Sequence, residues 1–512
     1  MQHMTAAIIA KAVGGRILWG DPQTPVLDIC TDSRQAKGGE LYVPILGERV
    51  DGHRFIEGAL RNGAIATFTS QHDKVEDLPE SVRGVETNAA SAGILTEKGV
   101  PAGECPCRPA DLSATVWIRV DDTRGALQTL GKFCRSRLDI PFVGVTGSVG
   151  KTSTRTMIAT ALAAGFHTFQ TAGNANSQVG VPITLSRITE DYEAAVIELG
   201  MSEPGEMARI GAIAGLDVAV MTNIGISHIE QLGSQANILR EKLHITDGLA
   251  EDGWLILNGD DAHLCPQNAH KQEGASVENI PELQKCVKKY KTRYYGLQPH
   301  NDYRASDIRA EHGKTLFTLH CAKGEYPVAL SVIGMHHVQN ALAALACADV
   351  LGLPLNDAAA ALIHFGGVAH RQETIALPAM GITVIDDSYN ASPDSMRAAI
   401  TALQMTQTQG RKIAVLADMW ELGPETLRHH YGVGQAVGAS EVQILVTVGP
   451  LSVEMAKGAA EQNPNLQIVS VEDRFQAAQW LEEHHLAGDL ILFKGSNGMK
   501  LFEIIEKWKE VR

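Results

Sequence analysis

Between Thr146 and Thr152 the chain reads Thr-Gly-Ser-Val-Gly-Lys-Thr, a spacing of residue types with direct chemical meaning. Glycines let backbone N–H groups curl around phosphate oxygens, a lysine can reach the terminal phosphates, and a threonine hydroxyl can ligate magnesium. The expected binders of a nucleoside triphosphate are therefore Thr146, Gly147, Ser148, Val149, Gly150, Lys151 and Thr152. The loop departs from the fuller phosphate-loop pattern at Val145, where that pattern has glycine. It follows the apolar run Phe142 to Val145 and precedes a helical pattern containing Met157, Ile158, Ala161 and Leu162, the setting such a loop requires.

Thr-Gly-Ser-x-Gly-Lys-Thr in this variant form resembles the ATP loop of Mur ligases and folylpolyglutamate synthases. The resemblance implies ATP, two magnesium ions and formation of an acyl phosphate, since an amine does not displace oxygen from an unactivated carboxylate. Clamping ATP against a second anion calls for metal ligands and fixed positive charge. Glu198, ending Ala194 to Leu199, and His228, in Thr222 to Glu230, join Thr152 as expected magnesium ligands. Alone, a strand-end glutamate or a loop histidine is more often structural; the phosphate loop reverses those odds.

Arg240-Glu241-Lys242-Leu243-His244-Ile245 resembles the family segment whose lysine is carbamoylated by carbon dioxide, which implies a metal-binding carbamate on Lys242. Residue chemistry by itself reads Lys242 as an ordinary solvated helix lysine. Gly334 to Leu342 is similar to the family's Gly-x-His-Asn-x-x-Asn, implying adenine contacts from Asn340 and from His337, which stands where the first asparagine is expected. Leu257 to Asp261 resembles its Asn-x-Asp-Asp turn. In His370-Arg371-Gln372-Glu373, similar to a Gly-Arg stretch opening the last domain, Arg371 is expected at the phosphates, with His370 replacing glycine. Asp386 is expected beside the nucleotide, and Lys151, Lys242, His228 and Arg371 form the expected catalytic set.

The substrate must be argued from the flanking segments. Asp386 to Pro393, Thr171 to Pro182, Leu416 to Gly423 and Phe493 to Ser496 resemble the branch of the family that adds D-alanyl-D-alanine to a UDP-N-acetylmuramoyl tripeptide. They imply substrate contacts from Asn174, Asn176, Tyr389, Asn390, Asp418, Lys494 and Ser496. Thr31-Asp32-Ser33-Arg34 and Gly47 to His53 resemble the family's UDP-binding domain, so Thr31, Ser33 and Arg34 are expected at the uridine diphosphate. An amino-acid-adding Mur ligase acting on the UDP-muramoyl dipeptide is the nearest alternative; a catalytically silent nucleotide sensor is another.

Such side chains need a frame. From Phe142 onward, short Val, Ile and Leu runs with little alternation are followed by turns and helical patterns, the signature of buried parallel strands. Glu198, Asn223, Asn258, Asp386, Asp418 and Lys494 close such runs, where open α/β sheets bind ligands. The fold class expected is α/β in three domains. These are a UDP-substrate domain over 1–140, a central P-loop ATPase-type parallel-sheet domain over 141–366, and a Rossmann-like domain over 367–512 for the incoming dipeptide. A stretch from Gly84 to Leu112, rich in Ala, Gly, Pro and Ser, reads as an inserted exposed loop.

Composition sets limits. The 512 residues, 44% hydrophobic, suffice for several cores of roughly 100–200 residues each. A net charge of -15 argues against a nucleic-acid partner, which needs a broad basic surface. No run reaches the ~18 apolar residues of a membrane span. With eight scattered cysteines, of which only Cys105 and Cys107 are neighbours, free thiols are expected; the expected setting is the cytoplasm and the expected state a monomer.

Overall fold

The computed structural model describes residues 1–47, 50–83, 112–265 and 280–510. The inserted loop, apart from Leu112, lies outside the described residues, as do Cys105, Cys107, Glu48 and Arg49.

Among the described residues, three sheets organise the chain. The amino-terminal sheet runs, edge to edge, Arg16–Trp19, Val116–Arg119, Ala66–Thr69, Glu40–Tyr42, Asp28–Cys30, with only the first pair antiparallel. The central sheet has nine strands. Its parallel part places Phe142–Thr146 between Leu216–Met221 and Ala194–Glu198, with Leu249–Asn258 and Lys291–Gly296 beyond the former. The carboxyl-terminal sheet sets Ile382–Asp387 beside Leu490–Lys494, followed by Lys412–Ala417, Ile444–Val448 and Gln467–Val471, all parallel, with Glu373–Leu377 antiparallel at the edge.

The unbroken apolar runs have a simple cause. Successive strand residues point to opposite faces, and both faces are covered. Val218 and Val220 enter one buried cluster of the central domain while Ala219 and Met221 enter another. Ala414 and Leu416 likewise face one core of the last domain, Ile413 and Val415 the other.

One segment departs from the expected all-parallel pattern: Tyr303–Glu311, which joins Lys291–Gly296 in parallel, is followed by Lys314–Cys321 and Gly324–Leu330 in an antiparallel meander that extends the central sheet. Their burial alternates because one face meets solvent. The helix Met335–Val350 buries every residue from Ala341 to Ala348 and packs on Lys151–Leu162, which fixes the phosphate-loop helix against the core. Bidentate bonds of 2.9 Å from Arg187 to Asp28 tie the central domain to the amino-terminal sheet. Among the described residues no helix is long and apolar enough to cross a membrane.

Candidate active site

The phosphate loop lies at the carboxyl end of the central strand Phe142–Thr146 and opens the helix Lys151–Leu162. Gly147 adopts φ +151°, and a Cβ there would lie 1.9 Å from Thr222 Oγ1, so the loop admits no side chain at this position. Asn223 splints it: its backbone carbonyl accepts from Ser148 N–H at 3.0 Å, its Oδ1 from Val149 N–H at 2.8 Å, and its Nδ2 donates to Val149 O at 3.0 Å. The first-turn N–H groups of the helix have no intrahelical acceptor and remain for an anion.

Lys151 Nζ donates to Gly147 O at 2.8 Å, and Lys242 Nζ donates to the same carbonyl at 3.0 Å. Lys242 is 1% exposed, so it is a core residue and not the solvated lysine its residue type suggests. Burial, reinforced by the nearby Lys151 charge, pushes its ammonium well below the ordinary lysine value. Burial also lowers Lys151, against the opposing pull of Glu198.

Glu198 is 1% exposed and held by two partners, Arg155 Nη1 at 3.1 Å and Asn176 Nδ2 at 2.8 Å. Arg155, one helical turn beyond Lys151, escaped the sequence reading; an arginine among Thr, Ala and Met on that helix was its only signal. Asn176 thus orients Glu198, whereas Asn174 lines a separate cavity. His228 adopts φ +62° and approaches Glu421 of the last domain at 2.7 Å. Of the expected metal ligands, Thr152 Oγ1 is buried without a partner, which fits a cation supplied with the nucleotide.

Two cavities meet here. The first is lined by the phosphate loop, Asn340 and His336 from the central domain and by Arg371, Asp387 and Lys494 from the last. The second is lined by Asn174, His228, Trp420, Glu421 and Ser496, and the two share Ser227 and the stretch Tyr389 to Ser392. The helix Met335–Val350 turns His336 to the first cavity, and Asn340 Oδ1 accepts from Thr154 Oγ1 at 3.0 Å. His337, one residue on, is 3% exposed and packs on His336 and Phe365, behind the lining. Burial and then the Lys494 charge lower His336 to about 4, so it faces the cavity as a neutral imidazole at pH 7.

On the carboxyl-terminal side, register determines the chemistry. Asp387 pairs with Lys494 across adjacent parallel strands, and Lys494 Nζ reaches Asp387 Oδ2 at 2.7 Å and Asn390 O at 3.0 Å. Asp386 points the other way; it is fully buried and accepts from Ser388 N–H at 3.1 Å and His370 Nδ1 at 2.7 Å. Asp418 also faces inward, accepting from Ser452 N–H at 2.7 Å. Thr31, Ser33 and Arg34 lie at the end of the edge strand Asp28–Cys30 in the amino-terminal sheet, outside both cavity linings, where Asp32 pairs with Arg34 at 2.7 Å.

His370 takes φ +59°, a conformation that costs a side-chain-bearing residue about 1–2 kcal/mol. Its bond to buried Asp386 offsets that strain. His370→Ala keeps the strain and strips Asp386 of a partner, costing about 1–3 kcal/mol. His370→Gly loses the same bond but relieves the strain, so its urea midpoint is expected above that of His370→Ala. A glycine variant no more stable than the alanine variant would refute this account.

Three family models match the chain: the Mur ligase middle domain over 145–348, the Mur ligase glutamate ligase domain over 370–497, and the Mur ligase family catalytic domain over 27–131. A UDP-N-acetylmuramoyl-tripeptide–D-alanyl-D-alanine ligase of Bacillus subtilis (strain 168) is 35% identical over 99% of this chain and 98% of its own length. The protein of that name from Escherichia coli (strain K12) is 30% identical, covering 94% of this chain and 93% of its own. A crystal structure of MurF from Acinetobacter baumannii superposes with a TM-score of 0.79 at 26% identity, over 99% of this chain and 98% of that one. The phosphate loop, the two lysines on Gly147 and the last domain's arginine and lysine on one cavity thus occur in a chain that belongs to the Mur ligase family.

Proposed function

We propose that this protein joins D-alanyl-D-alanine to UDP-N-acetylmuramoyl tripeptide at the expense of ATP, releasing ADP and phosphate and giving the pentapeptide precursor of the bacterial cell wall. The observation that carries the reading is the pair of contiguous cavities, one at the phosphate loop and one reaching Asn174, Trp420 and Ser496. That layout suits a nucleotide beside an acceptor and its incoming amine. The high-coverage relatives named for this reaction support the choice of substrates.

The residues divide the work as follows. The loop's N–H groups and Lys151 hold the triphosphate, and Asn340 with neutral His336 faces the base. The peptide carboxylate attacks the terminal phosphorus and ADP leaves. Arg371 and Lys494, fixed positive charges on the same cavity, stabilise the negative charge that accumulates there. The dipeptide amine then attacks the acyl carbon, an amide C–N bond forms, and phosphate departs with the acyl oxygen; the proton lost by the amine passes to solvent. Thr152, Glu198 and His228 would hold magnesium, two ions on the family pattern, which would neutralise phosphate charge.

Lys242 enters as a carbamate on this proposal. A buried amine pushed toward its neutral form is nucleophilic toward carbon dioxide, and the resulting anion replaces repulsion of Lys151 with attraction. Turnover is then expected to fall in carbon-dioxide-depleted buffer and return with bicarbonate; indifference to bicarbonate removes the carbamate. On the same reading, residues 1–140 bind the UDP end, 141–366 the ATP and 367–512 the dipeptide, in the cytoplasm where ATP and these precursors are available.

An acceptor screen tests the substrate assignment. Ligation is expected with the tripeptide precursor and D-alanyl-D-alanine; ligation only with the dipeptide precursor and a free amino acid would overturn it.

A further inference from the structure

Arg371 sits in an unusual backbone setting. The residues on either side, His370 and Gln372, both take left-handed conformations, at φ +59° and +55°, and Arg371 N–H closes a tight turn onto Val368 O at 3.1 Å. A non-glycine residue at positive φ is uncommon, and two flanking one side chain mark a segment held by its surroundings. Here the hold comes from the end of the strand Ile382–Asp387 and the stretch that follows it. Tyr389 N–H donates to His370 O at 3.2 Å, and His370 Nδ1 bonds Asp386 at 2.7 Å.

The same stretch supplies a platform. The Arg371 guanidinium carbon lies 4.1 Å from the centroid of the Tyr389 ring, within cation–π range. A stack uses the face of the guanidinium and leaves its N–H groups, which lie in its plane, available to an anion. Arg371, Tyr389, Lys151 and Lys494 all line the first cavity. A flexible arginine near two lysines would swing toward solvent, and a stack restricts that motion while keeping the charge on the cavity.

We infer that Tyr389 is a positioning residue: its ring holds Arg371 in the orientation in which it meets the transferring phosphoryl group. The inference rests on the ligase reading above and adds to it a residue that acts through another. The face of the ring carries the effect and the hydroxyl does not. Loss of the platform therefore slows the phosphoryl step, and does so only while Arg371 is present.

A double-mutant cycle on full-length protein tests this, with kcat and KM measured for ATP and for D-alanyl-D-alanine. Tyr389→Leu is expected to lower kcat about tenfold, between the sizes of an exposed and a desolvated cation–π contact. Tyr389→Phe, which keeps the ring, is expected to restore most of that loss. In an Arg371→Ala background, Tyr389→Leu should cost nothing further. Melting curves for wild type and the four variants show whether each is folded; a poorly folded leucine variant leaves the phenylalanine variant to decide, and a tenfold loss there overturns the inference. So do equal losses by Tyr389→Leu with and without Arg371, or a raised dipeptide KM with unchanged kcat. Wild-type protein without turnover overturns the ligase reading and this inference together, whereas wild-type turnover with an unaffected Tyr389→Leu removes this inference alone.

Discussion

Lys151→Ala is expected to lower kcat for ligation by about 10³-fold while leaving the protein folded. The magnitude follows from removing a fixed positive donor beside charge that develops in the transition state. Folding survives because the carbonyl that Lys151 engages, Gly147 O, retains its bond from Lys242 at 3.0 Å. Loss of the neighbouring ammonium also removes one of the two influences that depress Lys242. Steady-state kinetics alongside urea denaturation separate the two effects. Wild-type-like ligation by this variant would remove the phosphate loop from the mechanism.

The second large effect is on stability. Lys494→Met removes the partner of a carboxylate that lies with it between two strands; Lys494 is 2% exposed and Asp387 8%. Leaving a buried charge unpaired costs about 3–5 kcal/mol. Burial already raises the Asp387 carboxyl above its ordinary value, against the pull of Lys494 and Arg371, and without Lys494 it rises further. An acid whose folded value exceeds its unfolded value binds more protons in the folded state. Stability therefore falls as pH climbs from about 4, the unfolded value, through the raised folded value. The deficit of Lys494→Met relative to wild type should accordingly be largest at neutral pH and shrink toward pH 4, and adding Asp387→Asn should recover part of it. A deficit independent of pH, or no recovery in the double variant, would show that the pair is not what stabilises this strand junction.

What the sequence shows of the site is what local chemistry determines. The phosphate loop is legible because its glycines, lysine and threonine act through consecutive backbone groups. The runs around Ala194, Val218, Ile413 and Leu490 are legible because each faces two cores and so loses alternation. The meander from Tyr303 to Leu330 was not read, since half-solvated antiparallel strands resemble polar loops in composition.

Side-chain direction was harder to read than position. Asp386 and Asp387 are adjacent, yet strand alternation sends one into the core and the other to the cavity. His336 and His337 divide in the same way on a helix, about 100° apart. Asn176 and Asp418 carry recognisable motifs, but their amide and carboxylate are taken by Glu198 and Ser452, residues 22 and 34 positions away. No spacing rule reports such partners. The burial of Lys242 is similarly a tertiary fact, invisible in its helical pattern.

The most direct test of the account is release of phosphate from ATP in the presence of magnesium, UDP-N-acetylmuramoyl tripeptide and D-alanyl-D-alanine, each omitted in turn, with the product mass determined. Release that requires every component, with a product carrying two added alanines, is the predicted result. Phosphate released without the dipeptide at the full rate, or none released with all components present, would contradict it.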